Sequence, residues 1–337
     1  MSISPPITWF GGKAKLAARI IRHFPPHHTY VEPFGGSAAV LLGKPAAKVE
    51  VYNDIDRELL NLFSILREPA AYQRLKAACE ATLYSRAEFE LAQQATDEPV
   101  EAARRFIVRQ RQSHSGMGRR WSYCIEDAQS GMSSAVRRWL SGVERLPAIH
   151  QRLRSVQIEA DDWSKVVARY DASRTLFYLD PPYVAATRVG GSYRHELPPG
   201  EHQRLVETVL AVKGMVVLSG YQCDTYLPLE DAGWHRVDYS VPAYISPQRG
   251  RRQESLWLSP RTLAATRQES APVIDSMREG AYHTHRVRVE ATEARIRASI
   301  ATLRKSGQRA SLSAVARHLE ISREHLGRRY RHLFEKA

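Results

Sequence analysis

The sequence has few cysteines and no long apolar run. Only Cys79, Cys124 and Cys223 occur among its 337 residues, and they lie far apart without the spacing of a metal site. No apolar run approaches the roughly 20 residues that a membrane helix needs, and the N-terminal residues lack the charged and apolar regions of a signal peptide. We therefore expect a cytoplasmic protein with free thiols, without a bound metal and without a membrane partner.

Two common nucleotide-binding fingerprints are missing as well. The G-x-G-x-x-G pattern of dinucleotide-binding sheets does not occur, which argues against a nicotinamide enzyme. The residues Gly11-Gly12-Lys13 precede a helical pattern, but they lack the longer glycine spacing and the following Ser or Thr of a P-loop. By itself this short motif is weak, because Gly-Gly-Lys before a helix is often only a cap.

Positive charge, in contrast, is abundant and unevenly distributed. The formal net charge is +13. Residues 104–154 hold 11 Arg or Lys against 3 Asp or Glu, and residues 286–337 hold 13 against 5, so each segment carries +8 and the remainder −3. A solvated basic face is common, but two basic segments on a nearly neutral frame favour a polyanionic partner. Arginine dominates both segments, and its planar fork suits phosphates and guanine edges.

Short apolar segments that end in polar or glycine-rich turns predict an α/β fold with a doubly wound sheet. The apolar fraction of 43% suffices for a substantial core. Strands are expected to begin near residues 30, 49, 155, 175 and 215, and a hairpin pair is expected at 235–241 and 253–259. Between about residues 100 and 150 the strand pattern stops.

The segment Leu179-Asp180-Pro181-Pro182-Tyr183 follows the buried-strand pattern of residues 175–178. Neither proline can donate to a sheet ladder and both fix φ, so the strand ends there. A carboxylate, fixed carbonyls and an aromatic ring then lie at the carboxyl edge of a central strand, where open α/β sheets bind ligands. In isolation the same residues also describe an ordinary turn after a strand.

A second candidate segment, residues 30–42, predicts a strand, a glycine-rich turn and a helix. Its small residues 35–39 would let a ligand lie against bare backbone at the helix N-terminus. Asp54 ends the next strand pattern, 20 residues beyond Phe34. A carboxylate at about this distance from the glycine-rich turn is well placed to accept hydrogen bonds from ribose hydroxyls. Helix capping is the alternative for this acid, but Asp56 is better placed to be the cap.

The middle basic segment predicts contact with DNA. A basic amphipathic helix contains Arg109 and Arg111, and the glycine-containing loop after it contains Arg119, Arg120 and Trp121. Glycine, arginine and an aromatic ring together can follow a nucleic-acid backbone and stack on a base. A mobile surface loop is the alternative interpretation.

The C-terminal residues predict a small helical unit after a linker at 260–285, where periodicity is unclear. Helices are expected at 289–304, 311–319 and 323–333. Ala316 is small where two helices would cross, and Ile321 would fill the turn between them. This spacing is typical of a helix-turn-helix, whose second helix enters the major groove. A helical hairpin used for dimerisation is the alternative.

Taken together, six motifs resemble the Dam-like, or D12, class of site-specific DNA adenine N6-methyltransferases. They are Trp9-Phe10-Gly11-Gly12-Lys13, Glu32-Pro33-Phe34-Gly35-Gly36-Ser37, Asn53-Asp54-Ile55-Asp56, Asp162-Trp163, Asp180-Pro181-Pro182-Tyr183 and Ser219-Gly220-Tyr221. Each motif is modest, but their order is that of the family and they cover most of residues 1–259. Ala38 stands where the family usually has glycine, a change expected to alter the fit around the cofactor without abolishing it.

The resemblance implies a Rossmann-like S-adenosylmethionine-dependent methyltransferase sheet with a helical inserted recognition domain and a C-terminal helix-turn-helix. The expected boundaries are 1–60 and 155–262 for the catalytic domain, 61–154 for the mainly helical target-recognition insertion, 263–285 for the linker and 286–337 for the helix-turn-helix domain. The implied activity is site-specific methylation of adenine N6 in double-stranded DNA, with S-adenosyl-L-methionine as methyl donor and no metal. Such an enzyme would associate with the nucleoid.

The resemblance and the basic segments also assign roles to individual residues. Cofactor binding is expected of Trp9, Lys13, Phe34, Gly35, Gly36, Asp54, Asp162 and Asp180. Catalysis is expected of Asp180, Pro181, Pro182 and Tyr183. DNA contacts are expected of Arg109, Arg111, Arg119, Arg120, Arg188, Arg323, Arg328 and Arg329.

The implied chemistry accounts for an acid and a tyrosine after the central strand. The N6 lone pair of adenine is delocalised into the ring, so the amine is a poor nucleophile. Asp180 and the Pro181 carbonyl would accept its N–H bonds, pull the nitrogen towards a tetrahedral form and free the lone pair. Tyr183 would stack on the base after it is flipped out of the duplex.

Several alternatives stay open at this point. Cytosine N4 is also an exocyclic amine, which the same acceptors would serve. A helix-turn-helix DNA-binding regulator with a vestigial catalytic fold is a second reading, and an RNA methyltransferase is disfavoured because the helix-turn-helix suits duplex DNA. The recognition sequence, a monomeric or weakly dimeric state, and a role in restriction-modification, a phage or a cellular programme are not defined by the sequence.

Overall fold

The computed structural model divides the chain into two compact units, Met1–Arg267 and Gln268–Ala337. It describes residues 3–125, 127–128, 131–188, 193–242 and 251–335. The first unit contains the sheet together with helices, and the second unit is helical. The prediction of an α/β fold is therefore confirmed.

The described residues contain nine strands. They are β1 (Thr29–Glu32), β2 (Val49–Asn53), β3 (Asp127–Ala128), β4 (Met132–Ser133), β5 (Val156–Glu159), β6 (Thr175–Leu179), β7 (Met215–Gly220), β8 (His235–Pro242) and β9 (Arg251–Leu258). Seven of them form one sheet in the order β5-β2-β1-β6-β7-β9-β8, and β3 and β4 form a separate two-stranded ribbon. The strands from β5 to β7 in this order are parallel, whereas β9 runs antiparallel to both β7 and β8. The five predicted parallel strands and the predicted hairpin pair are all present.

Fifteen α-helices occur among the described residues. They are α1 (Ala17–Ile21), α2 (Ala39–Gly43), α3 (Arg57–Arg67), α4 (Pro69–Ala81), α5 (Arg86–Leu91), α6 (Pro99–Gln112), α7 (Ser134–Val143), α8 (Leu146–Leu153), α9 (Trp163–Tyr170), α10 (Pro199–Ala211), α11 (Leu227–Asp231), α12 (Pro260–Lys305), α13 (Leu312–His318), α14 (Arg323–Arg329) and α15 (His332–Glu335). None of these helices is both long and apolar enough to cross a membrane.

The sheet is buried on both faces, as is usual for parallel strands covered by helices. On β6, Leu176 and Tyr178 enter one hydrophobic core, whereas Phe177 and Leu179 enter the other. All five residues of β6 are buried. This explains why the strand is a continuous apolar run in the sequence, and it makes β6 a firm support for the residues that follow it.

The strand order reverses between β1 and β6. From β1 the sheet continues to β2 and β5, and from β6 it continues to β7. In open α/β sheets a crevice forms outside the carboxyl ends of the strands at such a point. Residues 33–38 follow β1 and residues 180–183 follow β6, so two of the motifs found in the sequence meet at this crevice.

The helical segment between β2 and β5 shares the core of the sheet. Leu62 of α3, Phe106 of α6 and Trp139 of α7 belong to the same buried cluster as Tyr30 and Tyr52 of the sheet. Residues 61–154 are mainly helical, as expected, but they are not a compact unit of their own, because they lie within Met1–Arg267. Helical periodicity predicted their apolar faces, but it did not indicate that the sheet covers those faces.

In the second unit, α13 and α14 pack with the last turns of α12. Ile300, Val315 and Leu326 belong to one buried cluster. Ser311 caps α13, because its hydroxyl accepts from the Ala314 N–H at 3.3 Å. Glu320 has a φ of +53° in the turn between α13 and α14.

Two details of this region differ from the expectation. Residues 263–285, expected to form a linker, lie within helix α12. A helix shows apolar periodicity only where one of its faces packs on a core, so the absence of periodicity did not exclude a helix. The helix expected over 323–333 is divided into α14 and α15, because the chain turns where Tyr330 and Leu333 both enter the core.

Candidate active site

A cavity of about 330 Å³ opens at the carboxyl edge of β1 and β6. Its walls come from the segment before α1, the turns after β1 and β2, the start of α9, the segment after β6, and the residues that lead into α10. All of the predicted cofactor-binding residues line it: Trp9, Lys13, Phe34, Gly35, Gly36, Asp54, Asp162 and Asp180. Ligand pockets in proteins are typically about 300–1,000 Å³, so this cavity suits a small molecule.

Asp180 is paired with Lys13 inside this cavity. Lys13 Nζ lies 2.8 Å from Asp180 Oδ1 and donates to the Gly11 carbonyl at 2.8 Å. Burial raises the pKa of Asp180, and the Lys13 ammonium acts against that rise. Burial alone would lower the pKa of Lys13, yet Asp180 and Glu254 raise it above its ordinary value. The Lys13 ammonium therefore favours the ionised form of a carboxyl group that burial shifts towards protonation.

Tyr183 is buried beside this pair, with only 3% of its surface exposed. The Lys13 ammonium lies 4.7 Å from the centre of its ring, and the Tyr221 ring packs edge to face at 4.7 Å. Its hydroxyl donates to Glu254 Oε2 at 2.7 Å. Of the two prolines before it, Pro182 lines the cavity and Pro181 is buried. The predicted catalytic residues are thus adjacent in space as well as in sequence.

The turn after β1 presents bare backbone to the cavity. The Gly35 N–H donates to the Asn53 carbonyl at 2.8 Å, and the Tyr52 hydroxyl donates to the Gly36 carbonyl at 2.7 Å. Gly36 has a φ of +49°, and a Cβ atom there would lie 2.9 Å from the Trp9 indole nitrogen. A Cβ atom on Gly35 would overlap the Tyr52 ring. Both positions therefore require glycine.

Ala38, at the residue where glycine was expected, has a φ of +57° at the start of α2. The left-handed conformation costs a residue with a side chain roughly 1–2 kcal/mol. The methyl group of Ala38 is fully buried in the core. Ala38 therefore adopts a conformation that favours glycine, with local strain that packing offsets.

Asp54 joins the turns after β1 and β2. Its two oxygens accept from the Gly36 N–H and the Asp56 N–H, each at 2.8 Å. Burial raises the pKa of Asp54, and these backbone donors act against that rise. Asp56, as predicted, caps α3 by accepting from the Glu58 N–H at 2.9 Å. Because each carboxylate oxygen can accept a second hydrogen bond, Asp54 retains capacity for a ligand hydroxyl.

Asp162 and Trp163 form a further wall at the start of α9. Asp162 caps this helix by accepting from the Ser164 N–H at 3.0 Å. The Trp163 ring packs against Phe34 with ring centres 5.8 Å apart, and its N–H donates to Glu201 at 3.3 Å. This wall combines aromatic surface with carboxylate acceptors, the combination that suits a purine-like ring with an exocyclic amine.

Glu32 lies on the cavity wall, although no role of its own was predicted for it. Its Oε2 accepts from the Tyr30 hydroxyl at 2.9 Å and the Leu41 N–H at 3.1 Å. Burial raises the pKa of Glu32 to about 8, partly opposed by the Tyr30 hydrogen bond. Among the described residues, no group of three or more His, Cys, Asp or Glu side chains is arranged to hold a metal ion. Two signals for Glu32 were present in the sequence: it ends the β1 strand pattern, and it begins one of the six motifs.

The residues that lead into α10 close another side of the cavity. The Tyr193 ring packs edge-on against Phe10, with ring centres 5.2 Å apart, and Arg194 pairs with Asp56 at 3.2 Å. The sequence predicted a loop that orders over a substrate in this region but named none of these contacts. Residues 189–192 of that loop lie outside the described residues.

Arg109 and Arg111, predicted to contact DNA, are directed into the protein instead. Arg109 Nη1 donates to the Ala92 carbonyl at 2.5 Å, and the same side chain pairs with Glu58. Arg111 Nε donates to the Pro6 carbonyl at 2.7 Å. Burial, with a smaller effect of nearby arginines, lowers the pKa of Arg111 to about 10. Helix α6 packs against the core on this side, and we assign both arginines a structural role.

Arg119 and Arg120, in contrast, are exposed in the loop after α6. Close by in sequence, Tyr123 is 72% and Ile125 is 94% exposed. The Trp121 and Tyr123 rings stack with their centres 6.3 Å apart. Large apolar side chains so exposed next to arginines suit a polyanionic partner that also offers flat apolar faces. The sequence singled out the arginines and Trp121 but not Tyr123 or Ile125.

The remaining predicted DNA contacts differ in their surroundings. Arg188 is 8% exposed and pairs with Glu196 at 2.6 Å, so it would have to leave this pair to reach DNA. Arg328 is 78% exposed and pairs with Glu324 on the same helix at 2.6 Å. The side chains of Arg323 and Arg329 lie outside the described part of the structure.

One family model covers most of the first unit. It is described as D12 class N6 adenine-specific DNA methyltransferase and matches residues 9–241. Two curated relatives, the DNA adenine methylases of two Vibrio cholerae O1 strains (O395 and N16961), are each 37% identical over 67 residues. This match covers 20% of the chain and 24% of each relative, so the chain aligns with about a quarter of the relatives' length.

Two solved structures have a weaker likeness. One is a precorrin-8w decarboxylase from Methanobacterium thermoautotrophicum, with 10% identity and a TM-score of 0.32 over 73% of this chain and 89% of that one. The other is a methyltransferase candidate from Streptococcus mutans in complex with SAH, with 8% identity and a TM-score of 0.32 over 73% of this chain and 98% of that one. At such scores neither likeness bears on function.

Proposed function

The chain belongs to the D12 class of N6 adenine-specific DNA methyltransferases, and on that premise we propose that it transfers a methyl group from S-adenosylmethionine to the N6 amine of an adenine in duplex DNA. The observation that carries the proposal is the position of Asp180. This acid is paired with Lys13, 2.8 Å away, at the end of a rigid central strand and on the wall of a cavity. An acceptor for the target amine and a space for the donor therefore adjoin each other.

The cavity fits S-adenosylmethionine in size and in chemistry. Backbone at Gly35 and Gly36 leaves room along one wall, and Asp54 has acceptor capacity for ribose hydroxyls. The rings of Phe34 and Trp163 offer apolar surface for the adenine moiety, beside the Asp162 carboxylate. When bound, the cofactor supplies an electrophilic methyl group on a positively charged sulfur. A wall rich in carboxylates suits that positive charge.

Asp180 acts on the target amine. Its carboxylate accepts one N–H of N6 and the Pro181 carbonyl accepts the other, which draws the lone pair out of conjugation with the ring. Because both acceptors are fixed before the reaction, they need no reorganisation when charge develops. The methylated nitrogen then carries one proton too many, and Asp180 is placed to receive it before it passes to water.

Tyr183 supplies the stacking surface for the flipped base. In this structure Lys13 and Tyr221 both contact its ring. Lys13 is held by Asp180, whereas Tyr221 is only partly buried. Stacking of a base on Tyr183 therefore requires Tyr221 to swing aside.

DNA binding involves both units. In the first unit, Arg119 and Arg120 contact phosphates, and the exposed Tyr123 ring near them contacts bases or sugars. In the second unit, α13 and α14 act as a helix-turn-helix that adds affinity through Arg323, Arg328 and Arg329. Two positively charged surfaces should make this binding strongly salt-dependent, because phosphate contacts release counterions.

Methylation of unmethylated plasmid DNA with labelled S-adenosylmethionine, followed by nucleoside analysis, tests the proposal. We expect N6-methyladenine, and sequencing of the methylated positions will define the recognition site. N4-methylcytosine as the product would reassign the target to cytosine. Absence of any methylated nucleoside in duplex DNA would refute the proposal. The Asp180→Asn variant should remain folded but should transfer no labelled methyl group to DNA in the same assay.

A further inference from the structure

Glu254 lies beside the proposed site although it falls outside the family match, which ends at residue 241. It belongs to β9, which pairs antiparallel with β7 so that Ser255 lies opposite Gly220, the last residue of β7. The first residues of β9 therefore return to the edge at which β6 and β7 end. An acid from the far end of the first unit is thereby brought to the residues that follow Asp180.

The contact that Glu254 makes there is specific. Its Oε2 accepts the hydroxyl hydrogen of Tyr183 at 2.7 Å. Leaving a buried hydroxyl without its acceptor is unfavourable, so this contact holds the Tyr183 hydroxyl in place. The Tyr183 side chain has only two rotatable bonds, so packing near its Cβ atom together with one bond at its hydroxyl defines the plane of the ring.

Glu254 is itself held by a firm strand. The Ser255 hydroxyl donates to Asp238 at 2.7 Å, and the fully buried Trp257 donates from its N–H to Glu230 at 3.1 Å. The backbone next to Glu254 is thus anchored to β8 and to α11. The Glu254 side chain therefore has a defined position, and it holds the Tyr183 hydroxyl in a defined position too.

We propose that Glu254 is a positioning residue for methyl transfer, which fixes the Tyr183 ring so that the flipped base meets a prepared surface next to Asp180. The inference rests on the proposed function and adds to it a residue of β9. The inference also gives the two tyrosines different roles. Tyr183 stays in place because Glu254 holds its hydroxyl, while Tyr221 moves to admit the base.

Comparison of Glu254→Ala with Glu254→Gln in the full chain tests this role. Glutamine retains an oxygen that accepts from Tyr183, whereas alanine does not. We expect Glu254→Ala to slow single-turnover methylation of unmethylated plasmid DNA about 10- to 100-fold, as for a buried hydroxyl group left without its hydrogen-bond acceptor. Glu254→Gln should stay within about threefold of the wild-type rate. Calorimetric affinity for S-adenosylmethionine should not change, because Glu254 is not part of the cavity wall.

Tyr183→Phe provides an independent measurement, because it keeps the ring and removes the hydroxyl. It should slow methylation at least as much as Glu254→Ala, because the Tyr183 hydroxyl also lowers the pKa of Asp180 through a hydrogen bond. The double variant should be no slower than Tyr183→Phe, since both lack the bond between Tyr183 and Glu254. Glu207→Ala, an exposed acid on α10, controls for the loss of a charge. Thermal unfolding confirms that each variant is folded.

Three results would overturn the positioning role: a wild-type rate for Glu254→Ala, equal losses in the alanine and glutamine variants, or additive losses in the double variant. The first would show that the contact is dispensable. The second would show that charge, not the hydrogen bond, matters. A wild-type chain that methylates no duplex DNA would refute the proposed function itself, a result distinct from all three.

Discussion

Replacing Lys13 by methionine should move the acid limb of the pH–rate profile to higher pH. Methionine keeps an unbranched apolar side chain and removes only the ammonium group that lies 2.8 Å from Asp180. Without it, burial and the Glu254 carboxylate both raise the pKa of Asp180. A larger fraction of Asp180 is then protonated at neutral pH, and a protonated acid is a poorer acceptor for the target amine.

The geometry sets the size of the effect. At 2.8 Å and an effective dielectric constant of about 20, two unit charges attract by about 6 kcal/mol. Desolvation offsets part of this attraction, and removal of one partner from a buried pair typically costs about 3–5 kcal/mol. Protonation of Asp180 avoids that cost, so the variant should lose little stability at low pH and more as Asp180 ionises. The methylation rate at neutral pH should fall on the order of 100-fold, as for other preorganised electrostatic groups.

Single-turnover methylation at saturating cofactor, measured across neutral and alkaline pH, checks the prediction. The rate of Lys13→Met should recover as pH rises through the raised pKa of Asp180. Lys15→Met removes a positive charge from an exposed position two residues away and should follow the wild-type profile. Superimposable profiles for Lys13→Met and the wild type would refute the argument that this ion pair keeps Asp180 ionised.

Four further changes test other parts of the protein. Asp54→Ala should weaken S-adenosylmethionine binding about tenfold or more in calorimetry, because the ribose acceptor is lost; unchanged affinity would exclude that role. Arg111→Met should lower the melting temperature without weakening DNA binding. In contrast, Arg119→Ala combined with Arg120→Ala should reduce the magnitude of the slope of log affinity against log salt concentration by about 2; an unchanged slope would rule out phosphate contacts by these two arginines. Glu32→Gln should methylate at nearly the wild-type rate at neutral pH. The wild type should lose stability as pH rises from the ordinary pKa of 4.5 to about 8, whereas the variant should not; a matching loss in the variant would show that Glu32 is not the group that titrates.

The features that sequence patterns predicted best are those that local constraints determine. A fully buried strand such as β6 must be a continuous apolar run, and Pro181 and Pro182 must end it. Glycine at position 36 is required by a positive φ and by the nearness of Trp9. Asp56 was correctly expected to cap α3, because a cap acts on the residues directly after it.

Features that depend on distant partners could not be predicted in this way. The hydroxyl of Tyr183 reaches Glu254, 71 residues later in the chain. The arginines at positions 109 and 111 resemble any basic helix surface, and only their contacts with the Glu58 side chain and the Pro6 carbonyl show that they are internal. Charge patterns indicate how many basic groups a segment has, but the packing of its helix decides which of them face solvent.

Two of the buried carboxyl groups in the proposed site, Glu32 and Asp180, differ in the cation beside them, and this difference explains which one acts. Asp180 raises the pKa of Glu32, because a second negative charge in one low-dielectric cavity is unfavourable. No cation is paired with Glu32 among the described residues, and its pKa of about 8 leaves it neutral below that pH. Asp180 has the Lys13 ammonium 2.8 Å away, which lowers its pKa against the effect of burial. Paired acids whose surroundings separate their pKa values commonly divide acid and base roles between them. The acid with a cation beside it is therefore the one that follows the central strand, where the target amine has to be received.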